Sequence, residues 1–398
     1  MLARSPEDPI TTDYDALLAY LLHRGLVESA RIIESDLSFF DESRRNCNIK
    51  VVSKSGRSYF LKRSASKTPR TERSYAGRSY GSIEYEAAVY ALLSTHSRPD
   101  GFKRYLPHCY GFDGDCGLLI LEALAGDSIG ASHHQTGQVP LDLASELGRA
   151  VATLHNDYRH DLTPWEALRD SPAPPWSTVF PEPTEIAFRN VSGAVLSFLS
   201  VLLESSSLCE QLLDLKASWL AHPAVIHGDL RWSNCLSLPG SGAQTSIAPE
   251  LRIVDWELAT VGDPAWDLGA VFCEYLNSWV SSVPIRSAME PDQFLSLATA
   301  PLQKMHESIS SFWLGYRTTR GATPGDSSAM LLRACRNTGA RLIQVACEEL
   351  HDESQVTAKS LSMLQLADNI IARPIEAAVR LFGIPLAQAT GAHGNASD

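Results

Sequence analysis

Ala224-Val225-Ile226-His227-Gly228-Asp229-Leu230-Arg231-Trp232-Ser233-Asn234-Cys235-Leu236 is the stretch on which the fold turns. Its first three residues form a short apolar run of the kind buried within a sheet, and they lead straight into a polar loop. A Gly/Ser/Pro linker follows, and then Leu251-Arg252-Ile253-Val254-Asp255-Trp256-Glu257, an apolar strand that ends in carboxylates. Two strand ends therefore deliver acidic and amide groups to neighbouring places.

The spacing His-x-Asp-x-x-x-x-Asn has a chemical reading. Phosphoryl transfer needs a group that accepts or orients the proton of an attacking hydroxyl, and oxygen ligands that hold magnesium on the phosphates. Asp229 suits the first role. Asn234 can offer its side-chain oxygen and Asp255 its carboxylate to magnesium, the hard-oxygen ligation that this ion prefers. Three residue types at fixed spacing recur by chance only a few times in about a hundred chains of this length, and a strand-ending Asp downstream lowers the odds again.

Working outward, the chain of 398 residues is 44% hydrophobic and 20% charged, an ordinary globular composition of a size for two domains or two lobes. No apolar run reaches the roughly 18 residues of a membrane span, so no membrane partner is expected. Met1 to Asp15 has early acidic residues and no basic stretch before an apolar core, so it does not read as a secretory signal, and the cytoplasm is the expected compartment. The eight cysteines are scattered, with no C-x-x-C, and read as reduced thiols. A net charge of -12 argues against nucleic acid as a partner. Residues 1–120 hold 17 Lys+Arg against 15 Asp+Glu, and the remainder 17 against 31, so an acidic later part could attract a cationic substrate.

Residues 1–121 read as strands plus a helix. A helix capped by Thr12 or Asp13 runs through Leu17, Leu18, Leu21 and Leu22 to a stop at Gly25. Arg31 to Glu34, Asn48 to Val52 and Ser58 to Lys62 read as three strands of an antiparallel meander, the last two joined by a turn at Lys54-Ser55-Gly56. Ser64 to Ser82, rich in Ser, Arg, Thr and Gly, reads as a basic loop. A helix is expected from Ile83 to Thr95, and strands at Tyr105 to Phe112 and Gly117 to Leu121. After Gly126 the pattern is helical, starting with Leu141 to Tyr158. It is interrupted by a Pro-rich loop from Asp170 to Pro183, resumes at Ala187 to Leu203, and ends in long helices over 302–316, 329–350 and 358–382, the last broken at Pro374.

His227 to Asn234, then Ile253-Val254-Asp255-Trp256-Glu257 and Gly262-Asp263-Pro264-Ala265-Trp266-Asp267-Leu268-Gly269, resemble the aminoglycoside phosphotransferase and choline kinase-like family. The resemblance implies an α+β, two-lobed protein kinase-like fold, with a small antiparallel-sheet N-terminal lobe (1–121) that binds nucleotide and a larger, mainly helical C-terminal lobe (122–398). It implies an ATP- and Mg2+-dependent kinase whose acceptor is a hydroxyl of a small molecule or peptide. Asp229 would be the catalytic carboxylate, with Asn234 and Asp255 on magnesium. His227 would brace the loop, Asp267 would hold it through backbone hydrogen bonds, and Glu257 would stand near the metal.

In the first lobe the resemblance calls for a lysine on the phosphates and an acidic partner for it. Lys62 ends the strand Tyr59-Phe60-Leu61-Lys62, where such a lysine belongs, and alternation puts it on the face of Phe60. Glu84 and Glu86 point about 200° apart on the following helix, and Glu86 stands where the family has its pairing Glu. Glu122-Ala123-Leu124 would be the interlobe hinge, with the backbone of Glu122 and Leu124 on the nucleotide base. No G-x-G-x-x-G covers the phosphates. The loop Asp41 to Asn48 stands in its place, and its backbone amides with Arg44, Arg45 or Asn46 could meet phosphate oxygens. Acceptor contacts would come from 141–220 and 301–384, where Glu204, Glu210, Glu307, Glu348, Glu349 and Asp352 could bind an amine. A catalytically inactive scaffold on the same fold, and a metal-dependent hydrolase using the same carboxylates, are the alternatives.

Overall fold

The structure, a computed structural model, describes residues 14–34, 36–43, 46–63, 82–95, 101–168, 173–181, 191–239, 250–283 and 301–386. The expected caps at Thr12 and Asp13, the basic loop up to residue 81, and Arg44 and Arg45 lie outside these residues. Helix α1 (Tyr14–His23) buries Leu17 and Leu21 and stops at Gly25, whose φ of 65° is the left-handed geometry a glycine takes without strain.

The first strand of the meander is displaced from its expected place. Arg31 to Ile33 is helical, part of α2 (Ser29–Ile33) with Glu34 as its C-cap, and β1 begins only at Leu37 (Leu37–Asp41). The adjacent pair Ile32-Ile33 imitates a strand, yet Ile33 is 83% exposed, so no sheet face receives it. Asp36 sets the boundary. Its N–H donates to the Arg31 carbonyl, and its carboxylate accepts from the Lys54 N–H and the Ser53 hydroxyl, so the chain turns before pairing starts.

β2 (Cys47–Ser53) and β3 (Tyr59–Arg63) complete the meander, and α3 spans Ile83–Thr95. The strand expected from Tyr105 starts late. Phe102–Tyr105 is a 3-10 turn, Tyr105 gives its hydroxyl to Glu146 Oε1 at 2.8 Å, and Pro107 offers no N–H, so β4 covers Cys109–Asp113. With β5 (Leu118–Glu122) these strands form an antiparallel sheet in the order β1-β2-β3-β5-β4. Alternation sorts its faces. Ile49, Val51, Tyr59, Leu61, Leu118 and Ile120 pack with Leu17 and Leu21, whereas Leu119 and Leu121 join Val89, Tyr90 and Leu93 of α3. Each fully buried leucine contributes roughly 1.5–3 kcal/mol, so both faces need their helix.

The helical lobe begins with a feature that sequence reasoning passed over. A two-residue strand β6 (Asp127–Ser128) leads into α4 (Ile129–Thr136), which Ser128 caps by accepting the Ala131 N–H and Gly137 ends at φ 71°. Then come α5 (Leu141–Asp157), the one-turn helices α6 (Thr163–Glu166) and α7 (Trp176–Val179), α8 (Gly193–Glu204) and α9 (Ser206–Ala217). The stretch expected to be loop thus holds a helical turn at α7, where the Thr178 hydroxyl bonds the Pro175 carbonyl. Helix α8 starts at Gly193 because Ser192 caps it through the Val195 N–H.

Two small ladders sit between the helices. β7 (Ala224–Ile226) pairs with β10 (Thr260–Gly262), and β8 (Cys235–Leu238) pairs with β6 and β9 (Glu250–Ile253). The remaining helices are α10 (Ala265–Ser281), α11 (Gln303–Arg320), α12 (Pro324–Glu349) and α13 (Ala358–Ala372). Pro374 breaks the last run, leaving a short α14 (Pro374–Glu376) and one π turn at Ala377–Leu381. Among the described residues no single helix is long and apolar enough to cross a membrane. The architecture is the expected α+β, two-lobed one: a small antiparallel sheet lobe and a mainly helical remainder.

Candidate active site

Strand pairing brings the polar loop and the acidic strand end together. Cys235 faces Ile253 across β8 and β9, so Asn234 and Val254 come next on the same ladder, and the Val254 N–H donates to the Asn234 carbonyl at 2.9 Å. One residue further, Asp255 takes a left-handed backbone (φ 67°), the only non-glycine to do so among the described residues. Asp tolerates that region better than most side chains. Its carboxylate is turned toward the sheet lobe, where Lys62 Nζ lies 2.6 Å from Oδ1.

Lys62 is 5% exposed and sits between two carboxylates, Asp255 and Glu86, whose Oε2 is 2.7 Å away. Burial alone would lower the Lys62 pKa, but Glu86, Asp255 and Glu257 outweigh it and push it up, so the ammonium stays charged. Burial pushes the Glu86 carboxyl upward, and the neighbouring ammonium pulls it back. Glu86 also accepts the Trp256 N–H at 3.3 Å, tying α3 to the turn after Asp255.

The loop after β7 is held from below by Asp267. This carboxylate, fully buried in the first turn of α10, accepts the His227 N–H at 2.8 Å and the Gly228 N–H at 3.0 Å. A negative charge in a first helical turn is also favourable there. His227 faces Val254: Nε2 is 3.0 Å from its carbonyl, while Nδ1 accepts the Asp229 N–H at 3.3 Å. Those partners require the tautomer with the proton on Nε2. Gly228 is needed at its place, since its φ is 83° and a Cβ would come within 2.4 Å of the Leu258 carbonyl oxygen.

Asp229 is met by two cations. Arg231 Nε donates to Oδ1 at 2.8 Å, and Arg341 Nη2, from α12, donates to the same oxygen at 2.6 Å. Burial would raise the carboxyl, yet Arg341 and then Arg231 hold it below the usual carboxylate range. Asn234, 8% exposed, donates through Nδ2 to the Asp229 carbonyl at 3.0 Å. That bond aims Nδ2 at the loop, while Oδ1 accepts the Ser233 hydroxyl at 3.4 Å and is the side chain's one oxygen that could ligate a metal.

The structure thus brings Asp229, Asn234, Asp255, Lys62 and Glu86 to one place and puts His227 and Asp267 beneath them. Glu257, 8% exposed, follows Asp255 in a 3-10 turn. Glu122 closes the sheet edge. Its side chain accepts the His108 N–H at 3.0 Å, its own N–H donates to the His108 carbonyl, and the Ala123 N–H donates to Ser58. Leu124, just beyond, is buried where the sheet gives way to helices. The loop from Asp41 closes on itself, with the Ser43 hydroxyl accepting the Asn48 N–H at 3.0 Å. Two of the acidic residues considered as amine ligands are engaged within the chain. Glu348 lies between Arg231 (2.7 Å) and Arg341 (3.6 Å), and Glu349 pairs with Lys359 at 2.7 Å.

Sequence reasoning missed Arg231, Arg341 and His155. His155 is fully buried, with Nε2 3.3 Å from Asp267 Oδ2 and Nδ1 3.1 Å from the Tyr316 hydroxyl, and so supports Asp267 from behind. The only signal for it was a lone His on the apolar face of α5. Among the described residues no three or more His, Cys, Asp or Glu gather as a metal site. Asn234 and Asp255 still fit magnesium, which takes one or two protein oxygens and fills its remaining positions from phosphate and water.

The model of the phosphotransferase enzyme family matches residues 36–290. No curated protein matches the chain. Among solved structures, a type I macrolide 2'-phosphotransferase is similar over 90% of this chain and 97% of its own, at 16% identity and a TM-score of 0.47. The GDP complex of an aminoglycoside 2'-phosphotransferase matches over 89% and 99%, at 15% identity and a TM-score of 0.46. A choline kinase from Streptococcus pneumoniae matches over 88% and 99%, at 14% identity and a TM-score of 0.43.

Proposed function

The chain belongs to the phosphotransferase enzyme family and is a kinase with an alcohol group as acceptor, and from that premise we propose that it moves the γ-phosphoryl group of ATP, with magnesium, onto a hydroxyl of a small molecule. The observation that carries this reading is the meeting of Lys62 from the sheet lobe with Asp255 from the helical lobe, beside Asn234 and Asp229.

Each residue has a task that its surroundings suit. Lys62, kept charged by its two carboxylates, binds phosphate oxygens of the nucleotide. Asn234 Oδ1 and the Asp255 carboxylate would hold magnesium, which supplies positive charge to the phosphates when bound. Asp229, ionised beside two guanidiniums, accepts a hydrogen bond from the acceptor hydroxyl and orients its oxygen toward the γ-phosphorus. The new O–P bond forms as the bond from the γ-phosphorus to the bridging oxygen breaks, ADP leaves, and the hydroxyl proton passes to Asp229 and then to water. A carboxylate held at low pKa is a weak base, so its main contribution is orientation, in keeping with a loose transition state in which the hydroxyl loses its proton late.

Nucleotide binding with and without magnesium, followed by turnover of wild type and Asp229→Asn against a panel of hydroxyl compounds, tests the proposal. Magnesium-dependent binding and turnover that Asp229→Asn abolishes is the expected result. Binding with no turnover of any acceptor, water included, would instead identify an inactive scaffold.

A further inference from the structure

The catalytic loop is gripped by a helix more than a hundred residues later in the chain. Arg341 lies on α12 at 4% exposure, and its guanidinium donates to Asp229 Oδ1 at 2.6 Å and to Gln344 Oε1 at 2.7 Å, with Glu348 Oε1 as an ion-pair partner at 3.6 Å. Residues 341, 344 and 348 follow the three- and four-residue steps of one helix face, so α12 presents a polar stripe to the loop. Its depth is set one turn earlier. A Cβ at Gly269 of α10 would stand 2.8 Å from the Thr338 N, so the backbones of α10 and α12 are in contact there and Arg341 cannot retreat.

Both guanidiniums choose the same oxygen. Arg231 Nε and Arg341 Nη2 donate to Asp229 Oδ1, and among the described residues no group donates to Oδ2. Glu348 bridges the pair from the outer side, with Oε2 on Arg231 and Oε1 on Arg341. A carboxylate fixed through one oxygen presents the other in a single orientation, which an acceptor hydroxyl needs before it can attack. We propose that Arg341 is a positioning residue for the transfer: from α12 it fixes Asp229 through Oδ1 and leaves Oδ2 to the acceptor, with Gln344 and Glu348 holding the guanidinium in turn. This rests on the assignment of Asp229 as the catalytic carboxylate.

Water serves as acceptor for the test, so hydrolysis of MgATP by the full chain is measured beside binding of a fluorescent ATP analogue and thermal unfolding. Arg341→Gln should lower kcat about tenfold or more while the MgATP KM and analogue Kd stay within about twofold, because orientation is lost and the nucleotide site is not. Arg341→Lys should retain an intermediate rate, and guanidinium ion added to Arg341→Ala should restore part of the lost kcat. An Arg341→Gln enzyme that turns over at the wild-type rate, or one whose loss tracks a raised Kd with no rescue by guanidinium, overturns the proposal and leaves a structural ion pair. Should Arg341→Gln fail to fold, Glu348→Gln decides: a kcat lowered about threefold at unchanged Kd supports the clamp, and an unchanged kcat overturns it. Asp229→Asn is run in parallel, since hydrolysis that survives it refutes the role of Asp229, whatever Arg341 does. Wild type that turns over neither water nor any hydroxyl compound of the panel refutes both.

Discussion

Lys62 Nζ and Asp255 Oδ1 stand 2.6 Å apart across 193 residues of chain. The contact joins the two lobes at the point where the proposed phosphates and magnesium meet, and it makes Lys62 answerable to two carboxylates. Glu86 is 1% exposed, whereas the Asp255 side chain is 37% exposed, so the two partners differ in what their loss would cost.

Lys62→Met leaves Glu86 as an uncompensated buried carboxylate. The expected cost is about 3–5 kcal/mol of stability, together with loss of turnover. Adding Glu86→Gln to that variant should return most of the stability and none of the activity, as read by denaturant unfolding beside MgATP turnover.

Asp255→Asn keeps a side chain that tolerates the left-handed backbone and removes only the charge. Stability should change by less than about 1 kcal/mol at this partly exposed site. Turnover should fall by a factor on the order of a hundred, since a proposed magnesium ligand is lost. A variant with wild-type turnover would remove Asp255 from the metal site.

Asp267→Ala removes the acceptor of two loop N–H groups. Hydrogen bonds to a charged group contribute roughly 1.5–3 kcal/mol each, so a loss of about 3–6 kcal/mol is expected, with a kcat lowered through a loosened loop. Faster amide hydrogen exchange at His227 and Gly228 in the milder Asp267→Asn variant would report the same loosening while the fold persists.

His155 carries a pH dependence whose sign follows from its burial. Burial lowers its pKa below the ordinary 6.5, and Asp267 offsets this only in part, so the folded state holds the ring neutral. Below pH 6.5 the unfolded chain binds a proton there that the folded chain does not. This contribution to stability is therefore full above about 6.5 and lost progressively as pH falls toward the folded value. Unfolding midpoints measured from pH 8 to 5 should fall more steeply for wild type than for His155→Gln, and parallel curves would show that the ring is not held neutral.

Much of the architecture was legible because it rests on local rules. A period of two placed Leu61 and Lys62 on opposite faces, and β3 observes it, with Leu61 toward α1 and Lys62 toward the cleft. Helix α3 runs over Ile83–Thr95 as its pattern requires, and Pro374 breaks the last helix for lack of an N–H. The errors have a physical origin too. Ile32-Ile33 satisfied a strand's composition, but a strand exists only where a partner accepts its edge, and Asp36 turned the chain first.

The sequence by itself determined which residues make up the proposed catalytic loop, because His227, Asp229 and Asn234 lie within eight residues and their spacing is a local property. It could not announce Arg341. On α12, Arg341, Gln344 and Glu348 form the kind of polar stripe that ordinarily faces water, and nothing in their order tells that it faces Asp229 instead. The tertiary structure alone decided that, through the close crossing of α10 and α12 at Gly269 and Thr338. His155 beneath Asp267 is of the same kind. A buried charge acquires its partner from the packing of distant elements, so the identity of that partner belongs to the fold.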